Sequence, residues 1–376
     1  MTTWYRRMAP RAMHEVHRVS TPLELFFDLC FVVAVSQAAA QLHHALAGDH
    51  VGVGVLHYVM IFFAIWWAWM NFSWFASAYD TDDGVYRVTT LVQITGVLIL
   101  AAGVPRAFDG DWRIGIAGYV VMRLALVSQW LRAARSDPER RRTARRYAAG
   151  IAAVQVGWVL WPLLPVWVFV PLGLVEVLIP VWAERTAMTT WHPHHITERY
   201  SLFTLIVLGE SVLAATTATQ AALDSGTAIG ELLALAASGL VIVFGMWWLY
   251  FDRPAQYLLT SLRTSITWGY SHYVVFASAA AVGAGLEEAV AAHDHIGWAV
   301  ALPVAVYVLS VWALQVRPRK EYLCDAVHLA AVVLILLTPL TPWAVPGTAA
   351  VMAVLIVVSV ILGQRSTLEP PARSAL

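Results

Sequence analysis

Apolar residues along this chain run in long unbroken stretches instead of alternating with polar ones. A helix of about twenty apolar residues spans a hydrocarbon core of about 30 Å. Stretches of that kind lie near 23–46, 53–79, 86–106, 113–135, 143–163, 165–185, 197–220, 226–251, 264–291, 293–316, 322–340 and 344–363. Prolines mark two of the breaks: Pro162 and Pro165 between the fifth and sixth runs, Pro342 and Pro346 between the eleventh and twelfth. The pattern predicts an all-α fold, a polytopic membrane helical bundle of about twelve transmembrane helices.

Composition agrees. Of 376 residues, 59% are hydrophobic and 13% charged; a soluble domain carries about 25% charge. That share is too small to cover a water-facing surface of this size, which excludes an ordinary soluble enzyme and a disordered chain. Net charge is zero, so nothing points to nucleic acid. Cys30 and Cys324 both lie in apolar runs, which excludes a disulfide framework. Numbering loops alternately by side puts 21 of the 24 Lys and Arg with the N-terminus, the even-numbered loops and the C-terminus. Seven lie between Arg132 and Arg146. The positive-inside rule then places both termini in the cytoplasm. The polar N-terminal stretch, with Arg6, Arg7, Arg11 and Arg18, has no cleavable signal pattern, so the first run is expected to stay in the membrane.

The two halves echo each other. Glu24 matches Glu198, Arg87 matches Arg263, Tyr147 matches Tyr322, Trp66-Trp67 matches Trp247-Trp248, and Pro162 to Pro165 matches Pro339 to Pro342, at offsets of 174–181 residues. Matches in order at one spacing predict two parallel six-helix repeats. The expected organisation is a cytoplasmic segment 1–20, repeats 21–186 and 187–363, and a cytoplasmic disordered tail 364–376. Transporters are often built so, with the site near mid-membrane between the repeats.

Ionisable side chains within spans cost several kcal/mol and are candidates by default. Glu24 and Asp28 are four apart, on one helical face near the cytoplasmic end. Thr21-Pro22-Leu23-Glu24 also reads as a capping box, which would give Glu24 a purely local role; Asp28, one turn deeper, reads as an interior group. Arg123, Glu176 and Glu210 fall near the middle of their helices. Arg123 pairing with either acid would leave the other as a proton or cation site; a static structural pair is the competing reading. Gly209 and Ser211 flank Glu210 and permit close helix approach. Arg87, Glu198, Arg263, His272, Asp325 and His328 lie toward the cytoplasmic half and suggest a water-accessible vestibule there. His194 and His195 share a face with Glu198, but the zinc signature His-Glu-x-x-His is absent and no metal is expected. The two Trp pairs read as core packing between repeats, and Gly48, Gly52 and Gly54 as turn glycines. No phosphate loop, dinucleotide fingerprint or nucleophile elbow is present, so no cofactor is expected.

The run from Thr21 through Glu24, Phe27 and Asp28 to Gln37, and the run His195-Ile196-Thr197-Glu198-Arg199-Tyr200 continuing to Gly209-Glu210-Ser211, resemble the bacterial low-temperature-requirement A family over nearly the whole chain. The resemblance implies a multi-pass bacterial inner-membrane protein. It adds Arg199 to Glu24, Asp28, Glu198, Glu210 and Ser211 as matching positions, and it carries a growth trait in the cold, not a substrate. Phe27-Asp28 with Phe31 and Ala34 is also similar to the Phe-Ser-Asp motif of two-repeat potassium channels. Here Phe27 replaces the Ser, and Leu202 stands where the second Asp would be. The expected function is a transporter or exchanger of an ion or small solute. A channel-like cation pathway, a membrane enzyme and a membrane-state sensor are the alternatives. The expected partners are the lipid bilayer and that ion or solute.

Overall fold

The structure, a computed structural model, describes residues 3–12, 15, 18–48, 50–224, 229–291 and 297–368. Among them lie twelve α-helices: α1 (Pro22–Leu46), α2 (Val51–Tyr79), α3 (Gly84–Phe108), α4 (Arg113–Ser136), α5 (Arg141–Leu160), α6 (Phe169–Ala183), α7 (Pro193–Asp224), α8 (Ile229–Phe251), α9 (Leu262–Ala291), α10 (Gly297–Val311), α11 (Tyr322–Leu337) and α12 (Ala344–Leu368). The described residues contain no strand. The proline breaks become short 3₁₀ turns at Trp161–Leu163, Val166–Val168 and Thr338–Leu340, because a prolyl residue cannot supply the next helical N–H. Gly52 and Gly54, expected in a turn, lie inside α2; a Cβ on Gly54 would collide with Ala45. Helix α12 runs on to Leu368, into the segment expected as tail. Residues 369–376 lie outside the described residues.

Eleven helical segments are long and apolar enough to cross a membrane. The exception is α5, whose first two turns carry Arg141, Arg142, Arg145 and Arg146. Its apolar stretch therefore begins only at Tyr147.

The chain divides into two compact units, Met1–Ala45 with His50–Ile206 and Leu46–Asp49 with Val207–Leu376. The division falls inside α7. In the first unit, α3 and α4 pack backbone against backbone. A Cβ on Gly96 would stand 2.7 Å from the Gly118 carbonyl oxygen, and one on Gly118 would strike the Leu100 amide. Small residues allow this approach, which lets van der Waals contact hold helices together where lipid supplies no hydrophobic drive. Gln93 donates to Gln129 (3.0 Å) across the same seam. The N-terminal segment lies as a strap over the end formed by the α2–α3 and α4–α5 loops. Val85 and Gly84 amides donate to Trp4 and Thr3, Arg11 to Ala78, and Met8 to Ser136 Oγ. Asp83 caps α3 by accepting from the Tyr86 amide (2.8 Å), and also binds the Arg6 amide (2.6 Å) and Arg132. In the second unit, a Cβ on Gly285 of α9 would strike Ala299 of α10. Tyr307 donates to the Met246 carbonyl (3.0 Å), tying α10 to α8.

Candidate functional site

Helix α1 begins with the expected capping box. Glu24 N–H donates to Thr21 Oγ1 (3.3 Å), and Thr21 N–H donates to Glu24 Oε2 (2.7 Å). That occupies one carboxylate oxygen. The other, Oε1, faces inward, 3.2 Å from His195 Nε2, 3.4 Å from Arg199 Nη1 and 3.9 Å from Arg18 Nη2. Glu24 thus serves both readings, one with each oxygen. One turn deeper, Asp28 Oδ1 accepts from Arg199 Nη2 (2.5 Å) and from Trp69 Nε1 (2.6 Å). Ser73 takes a further bond from Arg199 (3.3 Å). Arg18 lies 3.6 Å from Asp80 and donates to the Ala76 carbonyl (3.0 Å). Helices α1, α2 and the first turns of α7 therefore meet on one cluster, and α7 begins where Pro193 supplies the fixed φ suited to a first turn.

Glu24, Asp28, His195 and Arg199 are 0% exposed, Arg18 3% and Asp80 5%. These groups are therefore closed off from solvent. They are buried against one another because α1, α2 and α7 close over them. Three carboxylates (Glu24, Asp28, Asp80) face two guanidinium groups (Arg18, Arg199), leaving one negative charge unless a proton is held. Asp28 Oδ2 is buried without a hydrogen-bond partner, and so is the Tyr86 hydroxyl. Asp80 sits just beyond the C-terminal end of α2. Burial pushes its carboxyl up to about 6, the Glu24 carboxylate adds to this, and Arg18 and Arg11 oppose it. The Asp82 carboxylate also raises it, while the Asp82 amide donates to Asp80 Oδ1 (3.1 Å).

A second buried acid has the opposite character. Glu176 of α6 accepts from five donors: Arg123 Nη2 (2.7 Å) and Trp67 Nε1 (2.7 Å) on Oε2, and Tyr119 (3.1 Å), Trp158 (3.1 Å) and Gln155 (3.2 Å) on Oε1. The donors come from α2, α4 and α5. One acid balances one Arg, and both acid oxygens are saturated. Of the two partners open to Arg123, Glu176 is the one the structure pairs with it.

The remaining candidates are dispersed. Glu198 is half-buried and accepts from the Ser20 amide (3.3 Å), so it turns toward the strap instead of His195. His194 is exposed. The His194, His195 and Glu198 side chains do not converge, and no metal-ligating cluster of three occurs among the described residues. In the second unit, Glu210 is half-buried. Ser211 donates to the Ala279 carbonyl of α9 (3.1 Å), beside Gly283. His272 is buried between the Tyr250 hydroxyl (3.0 Å) and the Trp268 carbonyl (2.7 Å). Asp325 accepts from Trp312 Nε1 (2.8 Å), and His328 bonds to the Cys324 carbonyl (2.8 Å). Arg87 pairs with Asp82 on the surface and Arg263 is exposed. The Trp pairs differ: Trp66 and Trp67 are buried, whereas Trp247 and Trp248 are 44% and 42% exposed. Trp247 and Trp248 are thus corrected from core packing to a surface position within their unit.

The sequence profile described as "Bacterial low temperature requirement A protein (LtrA)" matches residues 19–362. The chain belongs to this family. An uncharacterized protein of Rhizobium meliloti (strain 1021) is 28% identical over 251 residues, covering 62% of this chain and 58% of that relative. The chain thus spans under two thirds of the relative's length. Family and apolar helices together make this LtrA-family chain an integral, multi-pass membrane protein.

Sequence reasoning passed over four partners of the cluster: Arg18, Asp80, Trp69 and Ser73. Arg18 and Asp80 lie just outside apolar runs, where a charge normally meets water. Trp69 carries a signal that was available. An indole N–H in the middle of an apolar helix needs an acceptor, and its neighbour Trp67 makes the same demand on Glu176.

Proposed function

We propose that this chain moves an ion or small solute across the inner membrane of a bacterial cell, and that the α1–α2–α7 cluster is its proton-coupling site. The observation that carries the reading is the uneven charge of that cluster. A set of buried ions kept only for packing is expected to balance and to saturate its hydrogen bonds, because an unpaired buried charge is costly. Glu176 and Arg123 balance one charge with one, and both Glu176 oxygens are bonded. The cluster has three acids for two arginines and a bare Asp28 oxygen, so it gains from taking up one proton or one monovalent cation. Asp80, with its carboxyl near 6, is the member placed to exchange protons with the arginine-rich end.

The arginine excess at that end supports a cytoplasmic position for it and for both termini. The sequence echo supports two parallel six-helix repeats, 21–186 and 187–363. A link to growth in the cold rests on the family's name alone.

The test is flux into proteoliposomes under imposed proton, potassium and sodium gradients, comparing wild type with Asp28→Asn. The expected result is proton-linked flux that falls at least tenfold in the variant, because the substitution removes the excess charge. Absence of flux for all three ions and for a panel of small solutes would overturn the reading. So would undiminished proton coupling in Asp28→Asn.

A further inference from the structure

Two cavities in the first unit meet at the end opposite the strap. The inner one is an open cleft with about 500 Å³ of empty space. Its wall is apolar, with six aromatic side chains among aliphatic ones: Phe63, Trp112, Tyr119, Trp158, Trp161 and Phe169. Trp158, Trp161 and Phe169 stand edge to face, with ring centroids 5.1–5.9 Å apart. The outer one, about 960 Å³, is polar at its rim, with Asp109, Asp111 and Arg113. Trp112 and Trp161 line both, so the two are successive chambers of one site.

Trp161 is 3% exposed, and its Nε1 has no hydrogen-bond partner among the described residues. A buried indole N–H at the junction of a greasy chamber and a polar one calls for an oxygen acceptor. At the mouth, Leu164 and Val166 line the outer chamber and are 48% and 50% exposed, apolar side chains left open at this end. Arg113 and Asp111 lie 3.9 Å apart on the surface, with Asp109 beside them, giving one positive and two negative charges.

We propose that this double chamber binds one phospholipid whose headgroup bears a primary amine. A hydrocarbon chain fills the aromatic chamber. An ester carbonyl oxygen accepts from Trp161 Nε1. The phosphate meets Arg113, and the ammonium meets Asp109 and Asp111. The charge pattern of the rim selects an amine over a quaternary headgroup, because a primary ammonium donates hydrogen bonds to carboxylates and a choline group does not. This site shares no residue with the cluster of α1, α2 and α7, so it stands or falls separately.

Gly115 lines the inner chamber, and a Cβ there meets nothing within 4 Å. Gly115→Leu therefore starts its side chain in open space at the chamber wall. The test is native mass spectrometry of the purified full chain after exchange into an equimolar mixture of phosphatidylethanolamine and phosphatidylcholine. Wild type is expected to retain one phosphatidylethanolamine. Gly115→Leu is expected to retain roughly tenfold less of either lipid. Asp109→Asn with Asp111→Asn is expected to retain lipid without headgroup preference, and Trp161→Phe less of both lipids. Equal retention in Gly115→Leu, or no preference for the amine headgroup in wild type, overturns the proposal. Melting curves of each variant separate lost binding from lost folding.

Discussion

Removing one member of the Glu176 hub has a calculable consequence. In Glu176→Gln, one oxygen that faced two or three donors becomes an NH₂ that faces them. The less costly orientation puts the NH₂ toward Tyr119, Gln155 and Trp158. Tyr119 can rotate its hydroxyl and Gln155 can flip its amide, so both can accept. The Trp158 indole cannot, and an unpaired buried donor costs about 1–3 kcal/mol. Arg123 meanwhile loses its counter-charge at 1% exposure. Breaking a buried pair from one side costs about 3–5 kcal/mol in all. Arg123→Met breaks the same pair from the other side at similar cost. The double variant Arg123→Met with Glu176→Gln carries no buried charge, so its cost should fall up to about 3 kcal/mol short of the sum of the singles. Cys30 and Cys324 are buried free thiols, so a thiol-reactive dye reports unfolding in detergent. At about 2 °C per kcal/mol for a long chain, each single variant should melt about 6–10 °C early. The double variant should melt close to the worse single. Strictly additive losses, or singles within about 1 °C of wild type, would refute the hub.

Three further outcomes follow from the same geometry. Gly118→Leu should destabilise by about 1–3 kcal/mol or more by forcing α3 from α4, read in the same melt. Asp83→Ala removes the anchor of the strap and leaves Arg132 unpaired. Trypsin should then cut at Arg6, Arg7 or Arg11 about tenfold faster than in wild type, and an unchanged rate would show that the strap is held elsewhere. Asp80 has its carboxyl raised from 3.8 to about 6, so the folded chain holds that proton more tightly than the unfolded chain does. Its contribution is fully present below about pH 4 and is lost as pH climbs to about 6, a decline of up to about 3 kcal/mol. Stability in Asp80→Asn should show no such decline between these pH values.

The helices were legible in the sequence because lipid imposes a length and a composition on each of them. Starts and ends of α1 to α4 agree with the apolar runs to within a few residues, and Pro162 and Pro165 mark the real break before α6. The arginines of α5 follow the same logic, since they delay its apolar stretch by two turns. Depth along a helix was also legible, and it put Arg123 level with Glu176. Partner choice was not. Arg123 had two acids at similar depth, and only the packing of α4 against α5 and α6 selects one. Nor was the cluster. Its Asp28 and Arg199 lie 171 residues apart, and Arg18 and Asp80 are buried by the closure of helices whose contacts no local pattern encodes. The repeat signal marked Trp66-Trp67 and Trp247-Trp248 as equivalent, yet their environments differ. Residue identity at matched positions does not carry burial with it.

The proposed coupling of protons to transport through a buried, uneven charge cluster is open to measurement as the pH dependence of proton-linked flux in proteoliposomes, wild type against Asp80→Asn. Flux should rise as pH falls through about 6 in wild type, and that midpoint should vanish in Asp80→Asn. An identical profile in the two proteins, or no proton-linked flux at any pH, would contradict the account.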